Sequence, residues 1–216
     1  MKAAAQSEQV RVGPQGLPGD LEVPADANAL VLFVHGSGSS RLSSRNLQVA
    51  ATLQRHRLAT LLFDLLSDAE AADRNKVFDI ELLSDRVKQA LDWVARRPDL
   101  AGGRMGLFGA STGAAAALVV AATRPGGVGA VVSRGGRPDL AANCLALVSA
   151  PTLLIVGGAD PEVLDMNRRA MRLLTCKKRL EVVPGATHSF PEPGALGSVA
   201  ELAAAWFENH LDGRHP

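Results

Sequence analysis

Six short runs of apolar residues, rich in β-branched and leucine side chains, recur along this 216-residue chain with helix-like patterns between them. Runs without polar alternation are typical of strands buried on both faces, as in a parallel sheet covered by helices. The predicted strands are 29–34, 59–63, 105–108, 128–132, 152–156 and 180–183. The chain therefore belongs to the α/β class by pattern.

Helical periodicity separates several of these strands. Two amphipathic helices are predicted from residues that fall on one face: Ile80, Leu83, Val87, Leu91 and Val94 in the first, and Val199, Leu202, Ala203 and Trp206 in the second. Before residue 29, segments 9–12 and 20–23 flank a turn rich in glycine and proline, which predicts an antiparallel hairpin at the sheet edge. We expect residues 1–216 to form one domain.

The strand at 105–108 leads directly into GASTG (109–113), followed by a run of small residues that can begin a helix. A serine on such a tight strand-to-helix turn exposes its hydroxyl above the sheet, where it can act as a nucleophile, and glycines on either side avoid clashes. The alternative is a glycine-rich turn whose serine only caps the helix. The pattern favours Ser111 as a nucleophile.

A serine nucleophile needs a histidine base and a carboxylate that orients it, in the chain order Ser, Asp, His for this arrangement. Asp160 follows the strand at 152–156, and His188 follows the strand at 180–183. Both should therefore emerge at the same sheet edge as Ser111. Asp139 and Asp165 are competing carboxylates, but the first lies in a loop after a proline and the second within a predicted helix.

The loop HGSGSS after the strand at 29–34 is suited to bind an oxyanion. One backbone N–H would come from Ser37 in this loop, and another from Thr112, the residue after the nucleophile. We interpret His35 as a residue that fixes the loop and does not transfer protons.

The same loop also permits a rival interpretation, in which strand, Gly-X-Gly, helix and a strand ending at Asp64 form a dinucleotide-binding unit. That unit requires a third glycine at position 41, where this chain has Arg41.

Three arginines are placed to surround the predicted site, although the formal net charge is only +1. Arg134 follows the strand at 128–132, while Arg41 and Arg45 follow the oxyanion-loop glycines. They are candidates for binding a substrate carboxylate, since a guanidinium pairs with it through two hydrogen bonds. Alternatively they are solvated, or are structural partners of Asp64 and Asp139.

The balance of 23 basic and 22 acidic residues gives no electrostatic footprint for nucleic acid or an anionic membrane. Cys144 and Cys176 lack the spacing of a zinc site or a disulfide framework and are predicted to be buried free thiols. The N-terminus lacks the apolar core of a signal peptide, and no apolar run is long enough to span a bilayer. We expect a cytoplasmic protein with a small-molecule substrate and no cofactor; the oligomeric state stays open.

The strings GASTG, GGAD and GATH, with LLFDLLS and VVSRGGRPDL, resemble the dienelactone hydrolase group of the α/β-hydrolase superfamily, in a subgroup with a serine nucleophile. Some members of that subgroup are fused to a phosphoribosyltransferase-like domain. The resemblance implies an α/β-hydrolase fold, a Ser111–His188–Asp160 triad and hydrolysis of small esters or lactones. Thioester hydrolysis or acyl transfer on the same triad, or a non-hydrolytic accessory module, are the alternatives. About 20 residues between the fourth and fifth runs are too few for a cap domain, so the site should be open.

Overall fold

The computed structural model describes residues 5–100 and 102–211, which fold around one eight-stranded mixed sheet. Across the sheet the strands run in the order β1-β2-β4-β3-β5-β6-β7-β8. The first two strands pair antiparallel, β2 pairs antiparallel with β4, and all remaining neighbours are parallel. The strands are β1 (Gln6–Val12), β2 (Leu17–Val23), β3 (Ala29–Val34), β4 (Leu58–Phe63), β5 (Arg104–Ala110), β6 (Ala130–Arg134), β7 (Thr152–Gly157) and β8 (Lys178–Val183).

Helices cover both faces of the sheet. They are α1 (Ser44–Arg55), α2 (Asp68–Ala71), α3 (Arg74–Val77), α4 (Ile80–Ala95), α5 (Thr112–Thr123), α6 (Pro161–Leu173) and α7 (Ala195–Leu211), and a 3₁₀ segment spans Pro138–Leu147. Apolar residues of α1 and α7 pack on one face, and those of α4 and α5 pack on the other. Because the central strands are buried on both faces, their sequences lack polar alternation.

The predicted hairpin and both predicted amphipathic helices are confirmed. The hairpin forms the antiparallel edge of the sheet, where β2 lies between β1 and β4. No separate cap is apparent in the described residues, since only the 3₁₀ segment lies between β6 and β7. The two cysteines are free thiols, but they are half-buried and not fully buried as predicted.

Three predicted strands end too early. Strand β5 continues past 108 to Ala110, β6 spans Ala130–Arg134 where 128–132 was predicted, and β7 extends one residue further, to Gly157. The reason is that these strands finish in small or polar residues, which an apolar pattern does not include. These ends lie at the carboxyl edge of the sheet, where the predicted site residues meet.

Among the helices of the described ranges, none combines the length and apolarity that crossing a membrane requires.

Candidate active site

Ser111 occupies the turn that joins β5 to α5. Its backbone has φ 51° and ψ −122°, a conformation that is strained for a residue with a side chain. Its hydroxyl makes no capping hydrogen bond to the helix that follows. The interpretation of Ser111 as only a helix cap is therefore wrong, and the turn presents a serine hydroxyl at the carboxyl edge of the sheet.

The two glycines of GASTG are required by close backbone contacts. A Cβ atom at Gly109 would lie 2.5 Å from the Cα of Ala114, and one at Gly113 would lie 2.2 Å from the carbonyl oxygen of Val34. Both distances are far shorter than van der Waals contact. Helix α5 can therefore start directly above β3 and β5 only because neither position carries a side chain.

His188 and Asp160 form a hydrogen-bonded pair in neighbouring turns after β8 and β7. The Nδ1 atom of His188 lies 2.8 Å from Oδ2 of Asp160, and the ionised carboxylate can only accept, so Nδ1–H donates. This leaves Nε2 as the unprotonated nitrogen of the neutral ring. The Asp160 side chain is 15% exposed, whereas that of His188 is 46% exposed. The histidine is thus oriented by a largely buried acid and itself remains open to solvent.

The turns that carry this pair are tied together by the backbone. The Ala159 N–H donates to the carbonyl of Ala186 at 2.9 Å, and a Cβ at Gly157 would lie 2.3 Å from that same carbonyl oxygen. The two turns therefore touch without a side chain between them. The separation of Asp160 from His188 is set by this backbone contact.

Neither competing carboxylate reaches the histidine pair. Asp139 is held by Arg137 at 2.7 Å, and this arginine lowers the pKa of the Asp139 carboxyl. Asp165 is paired with Arg169, one turn further along α6. Each acid has a local cationic partner, so Asp160 alone of the three is bonded to His188.

The loop 134–137 connects the serine to the histidine. The Ser111 N–H donates to the Arg134 carbonyl, and the Arg137 N–H donates to the Ser111 carbonyl, each at 3.1 Å. Gly135 lies against the imidazole, because a Cβ there would be 3.4 Å from Cε1 of His188. The same loop thus contacts the turn that carries Ser111, through Arg134 and Arg137, and the ring of His188, through Gly135.

The two predicted oxyanion donors lie side by side. Gly36 touches the nucleophile, since a Cβ there would be 3.0 Å from the Ser111 Cβ. The next residue, Ser37, donates its N–H to Thr112 Oγ1 at 2.8 Å. Thr112 is the first residue of α5, so its own N–H has no partner within the helix. The sequence predicted the two amides; it did not predict that the Thr112 hydroxyl binds one of them.

His35 fixes this loop. Its Nδ1–H donates to the Gly36 carbonyl at 3.0 Å, and its Nε2 accepts the Leu65 N–H at 3.0 Å. Accepting at Nε2 requires a neutral ring, and burial lowers the pKa of His35 further. The interpretation of His35 as a loop-fixing residue is confirmed by these contacts.

Of the three predicted substrate-binding arginines, Arg41 is already neutralised. Its guanidinium lies 2.6 Å from Asp64 and 3.1 Å from Asp20, and its backbone N–H donates to Asp64 as well. Its proposed role in substrate binding is therefore replaced by a structural one. The same contact argues against the dinucleotide interpretation. Asp64, the acid that would bind the ribose, is paired with Arg41, and Arg41 occupies the position where the motif requires its third glycine.

The other two arginines have no such acidic partner in the described ranges. Arg45, in the first turn of α1, is exposed and lines a cavity of about 550 Å³ with the oxyanion loop. Arg134, the last residue of β6, is buried. Asp139, which the sequence offered as its structural partner, pairs instead with Arg137. Within the described residues, no group of three or more His, Cys, Asp or Glu side chains could hold a metal ion.

The sequence reasoning missed two residues that shape this site. One is Gly135, whose place beside His188 is signalled only by the double glycine after β6. The other is Asn167, fully buried on α6, which donates from Nδ2 to the Gly136 carbonyl at 3.0 Å. It ties the helix that begins after Asp160 to the loop that contacts Ser111. A polar residue on the buried face of a helix was the available signal.

Comparison with known proteins matches most of the chain to one protein family. The family model described as "Dienelactone hydrolase family" matches residues 65–212 of this chain. A protein of Mycobacterium tuberculosis (strain ATCC 25618 / H37Rv) named "Putative phosphoribosyl transferase Rv0571c" is 55% identical over 208 residues, which are 96% of this chain but 47% of that protein. The chain thus spans about half the length of this curated relative.

Solved structures share the fold over nearly the whole chain. The crystal structure of dienelactone hydrolase from Anabaena variabilis ATCC 29413 is 52% identical, with a TM-score of 0.91 over 96% of this chain and 98% of that one. Est1E from Butyrivibrio proteoclasticus is 14% identical with a TM-score of 0.77, covering 96% and 99% of the two chains. The predicted α/β-hydrolase fold is confirmed.

Proposed function

Because this chain belongs to the dienelactone hydrolase family, we propose that it hydrolyses small carboxylic esters or lactones, with Ser111 as nucleophile, His188 as base and Asp160 as orienting acid. The observation that carries the proposal is the strained turn at Ser111, which shares the loop 134–137 with a histidine that is hydrogen-bonded to a carboxylate. Family membership suggests a hydrolase, and the strained serine together with the oriented base supports nucleophilic attack on an acyl carbon.

In the proposed mechanism, His188 Nε2 takes the Ser111 hydroxyl proton as Oγ attacks the acyl carbon. The Asp160 carboxylate stabilises the imidazolium through the 2.8 Å bond to Nδ1. The imidazolium then gives its proton to the leaving alcohol, which departs and leaves an acyl-enzyme. Water, deprotonated by His188, attacks the acyl carbon and releases the acid. This sequence requires no metal or organic cofactor.

The tetrahedral oxyanion would be bound by the amides of Ser37 and Thr112. In the structure the Ser37 N–H donates to the Thr112 hydroxyl, so this amide would exchange that acceptor for the oxyanion when substrate binds. His35 supports the same loop from behind through its two ring nitrogens. The Thr112 amide, at the start of α5, has no partner within the helix and is the donor that is available to the oxyanion from the outset.

The proposed substrate is small. His188 is nearly half exposed, and no cap covers the site among the described residues. An uncovered site cannot enclose a long acyl chain, so such a chain would gain little from burial.

Thioester hydrolysis and acyl transfer to another acceptor remain alternatives on the same triad, because the fold does not determine the acyl acceptor. The name of the Mycobacterium tuberculosis relative belongs to a chain of which this one covers 47%. That name does not say which part of the longer protein carries the named activity. A non-hydrolytic accessory module is the alternative from another class.

A fluorophosphonate probe tests the proposal directly. Wild-type protein should be labelled at Ser111, and Ser111→Ala should not be labelled. Ser198→Ala is a matched control, since Ser198 lies exposed on α7, and it should be labelled normally. Turnover of short 4-nitrophenyl esters, lactones and acyl thioesters then separates the reaction types. Labelling that persists in Ser111→Ala, or no labelling of the wild type, would refute the assignment.

A further inference from the structure

Asn167 is a polar side chain at a fully buried position of α6, with a relative exposure of 0%. Its Nδ2 donates to the Val163 carbonyl, one turn earlier, at 2.8 Å and to the Gly136 carbonyl at 3.0 Å. Both partners are carbonyl oxygens, so the amide nitrogen must face them, and the buried Oδ1 has no partner. A buried acceptor without a partner destabilises the fold, so stability alone does not account for an asparagine here.

The other buried residues of α6 are apolar. They are Val163, Leu164 and Ala170. The buried face of an amphipathic helix is ordinarily filled by apolar side chains throughout. Asn167 therefore interrupts an apolar face in order to bond to the Gly136 carbonyl.

The loop 134–137, to which Gly136 belongs, contacts both the nucleophile turn and the base. It is bonded to the backbone of Ser111 at two points, each at 3.1 Å, and its Gly135 lies against the ring of His188. Among residues 5–100 and 102–211, no other side chain makes a hydrogen bond to the backbone of this loop. The Asn167 amide is thus its one side-chain tether.

Gly136 itself is closely packed. A Cβ there would lie 2.0 Å from Ser133 Oγ and 2.7 Å from the Cβ of Ala114, which belongs to the first turn of α5. The glycine is therefore enclosed by the strand that precedes it and by the helix that follows the nucleophile. If the tether to Asn167 is lost, Gly136 can shift only together with the neighbouring peptides, which contact the site.

Helix α6 also begins directly after the orienting acid. Asp160 is its N-cap residue, and the Asp160 carbonyl accepts the Leu164 N–H at 2.9 Å. The Asp160 carboxylate accepts the Nδ1–H of His188 at 2.8 Å. Asn167 lies two turns further along the same helix. One helix therefore carries both the acid that orients the base and the amide that holds the loop.

We propose that Asn167 is a positioning residue, which holds the Asp160–His188 pair in register with Ser111 through the Gly136 carbonyl. The proposal rests on the proposed function and names a further residue on which that reaction depends. A base must lie within hydrogen-bond reach of the proton that it takes, and a misplacement of about 1 Å can lower a rate about 100-fold. Asn167 acts on the reaction only through the loop.

The first test removes the amide and keeps a side chain of similar size. Asn167→Leu leaves the Gly136 carbonyl without its donor, so kcat on a short 4-nitrophenyl ester should fall roughly 10- to 100-fold, with KM within about threefold. Tm should fall by roughly 3–8 °C. Rates are measured at 25 °C, where circular dichroism shows whether each variant is folded.

Thr60→Val is the matched control. Thr60 is also 0% exposed, and its hydroxyl accepts from Gln54 Nε2 at 2.8 Å. It lies on β4, which pairs with β2 and β3 and not with the strands next to the loop. This variant loses a buried side-chain hydrogen bond as well, so Tm should fall while kcat stays within about twofold. If kcat of Asn167→Leu falls no further than that of Thr60→Val, the proposal is overturned.

Asn167→Asp separates positioning from packing, because it is nearly isosteric and its ability to donate depends on pH. Burial raises the pKa of the carboxyl that it introduces. The protonated carboxyl can donate to the Gly136 carbonyl, whereas the ionised form can only accept and repels that oxygen. The ratio of its kcat to that of wild type should therefore rise at least about fivefold from about pH 9 to about pH 6. The ratio for Asn167→Leu should stay constant, and a constant ratio near one for Asn167→Asp would contradict the proposal.

The rate of fluorophosphonate labelling keeps this proposal distinct from the hydrolase assignment. Labelling of Ser111 should be at least tenfold slower in Asn167→Leu than in wild type, and should be unchanged in Thr60→Val. If the wild type is labelled and hydrolyses esters, and both Asn167 variants match it, the hydrolase assignment stands and the positioning role is overturned. If the wild type is neither labelled nor active, both proposals fail.

Discussion

Replacing Gly113 by alanine tests whether the nucleophile turn is as closely packed as described. The added Cβ would lie 2.2 Å from the Val34 carbonyl oxygen and 2.4 Å from that of His35. Ordinary contact begins near 3.4 Å, so backbone must move by roughly 1 Å. Overpacking of this kind costs about 1–3 kcal/mol, and backbone atoms yield less than the ends of side chains. We expect the upper part of that range.

The gain in helix propensity from glycine to alanine, at most about 1 kcal/mol, offsets part of this cost. The net loss of about 2 kcal/mol should lower Tm by roughly 4–8 °C in a domain of this size. Esterase activity should fall further than stability, because the His35 carbonyl that must move directly precedes the oxyanion loop. Urea denaturation and initial rates on a short 4-nitrophenyl ester measure the two effects.

Gly197→Ala is the matched control. Gly197 also lies in the first turn of a helix, α7, but an added Cβ there meets nothing within 4 Å. This substitution should leave activity unchanged and raise Tm slightly. The reasoning is refuted if Gly113→Ala behaves like Gly197→Ala in both assays.

His188→Ala should abolish turnover about as fully as Ser111→Ala, whereas Asp160→Asn should retain more activity in the same rate assay, because triad members contribute unequally. Thr112→Val should lower Tm, since the Ser37 N–H loses its acceptor at a cost of about 1 kcal/mol, and Thr112→Ser should restore Tm in the same thermal denaturation assay. Burial lowers the pKa of His35 in the folded protein, so protonation of this ring favours unfolding. The contribution of neutral His35 to stability is present above about pH 6.5 and is lost as the pH falls below that value. Below about pH 6.5 the urea midpoint should therefore fall less for His35→Gln than for the wild type. Activity should decline steeply as the acyl chain lengthens, and efficient hydrolysis of emulsified long-chain triglyceride would contradict an open site.

Much of the fold was predictable because the central strands are buried on both faces and are therefore uninterrupted apolar runs in the sequence. The errors fall where strands approach the site. Ser133 and Arg134 belong to β6 and are buried, yet both are polar, so a hydrophobicity rule ends the strand before them. Functional edges are where polar residues are retained in buried positions, and pattern-based prediction is weakest there.

The pairing of His188 with Asp160 was also predictable, because chain order and the position after a strand restrict the choice. The rejection of Asp139 and Asp165 follows from local sequence as well. Each has an arginine within four residues that binds it in the structure, Arg137 for the first and Arg169 for the second. A carboxylate with a cation so close in sequence is a poor candidate for orienting a distant histidine.

The roles of the arginines could not be separated from sequence, because their partners come from distant parts of the chain. Arg41 and Arg134 both follow strands at the carboxyl edge, so the same rule predicts both as substrate ligands. Folding brings Asp20 and Asp64 to Arg41, whereas no carboxylate among residues 5–100 and 102–211 pairs with Arg134, whose charged neighbour is Arg45. Whether a guanidinium is satisfied within the fold is a property of tertiary structure. An arginine that folding leaves buried without a counter-ion destabilises the protein, so Arg134→Met should raise Tm, whereas Arg41→Met, which leaves two carboxylates without their cation, should lower it; thermal denaturation of the two variants measures both effects, and a lower Tm for both would contradict the argument.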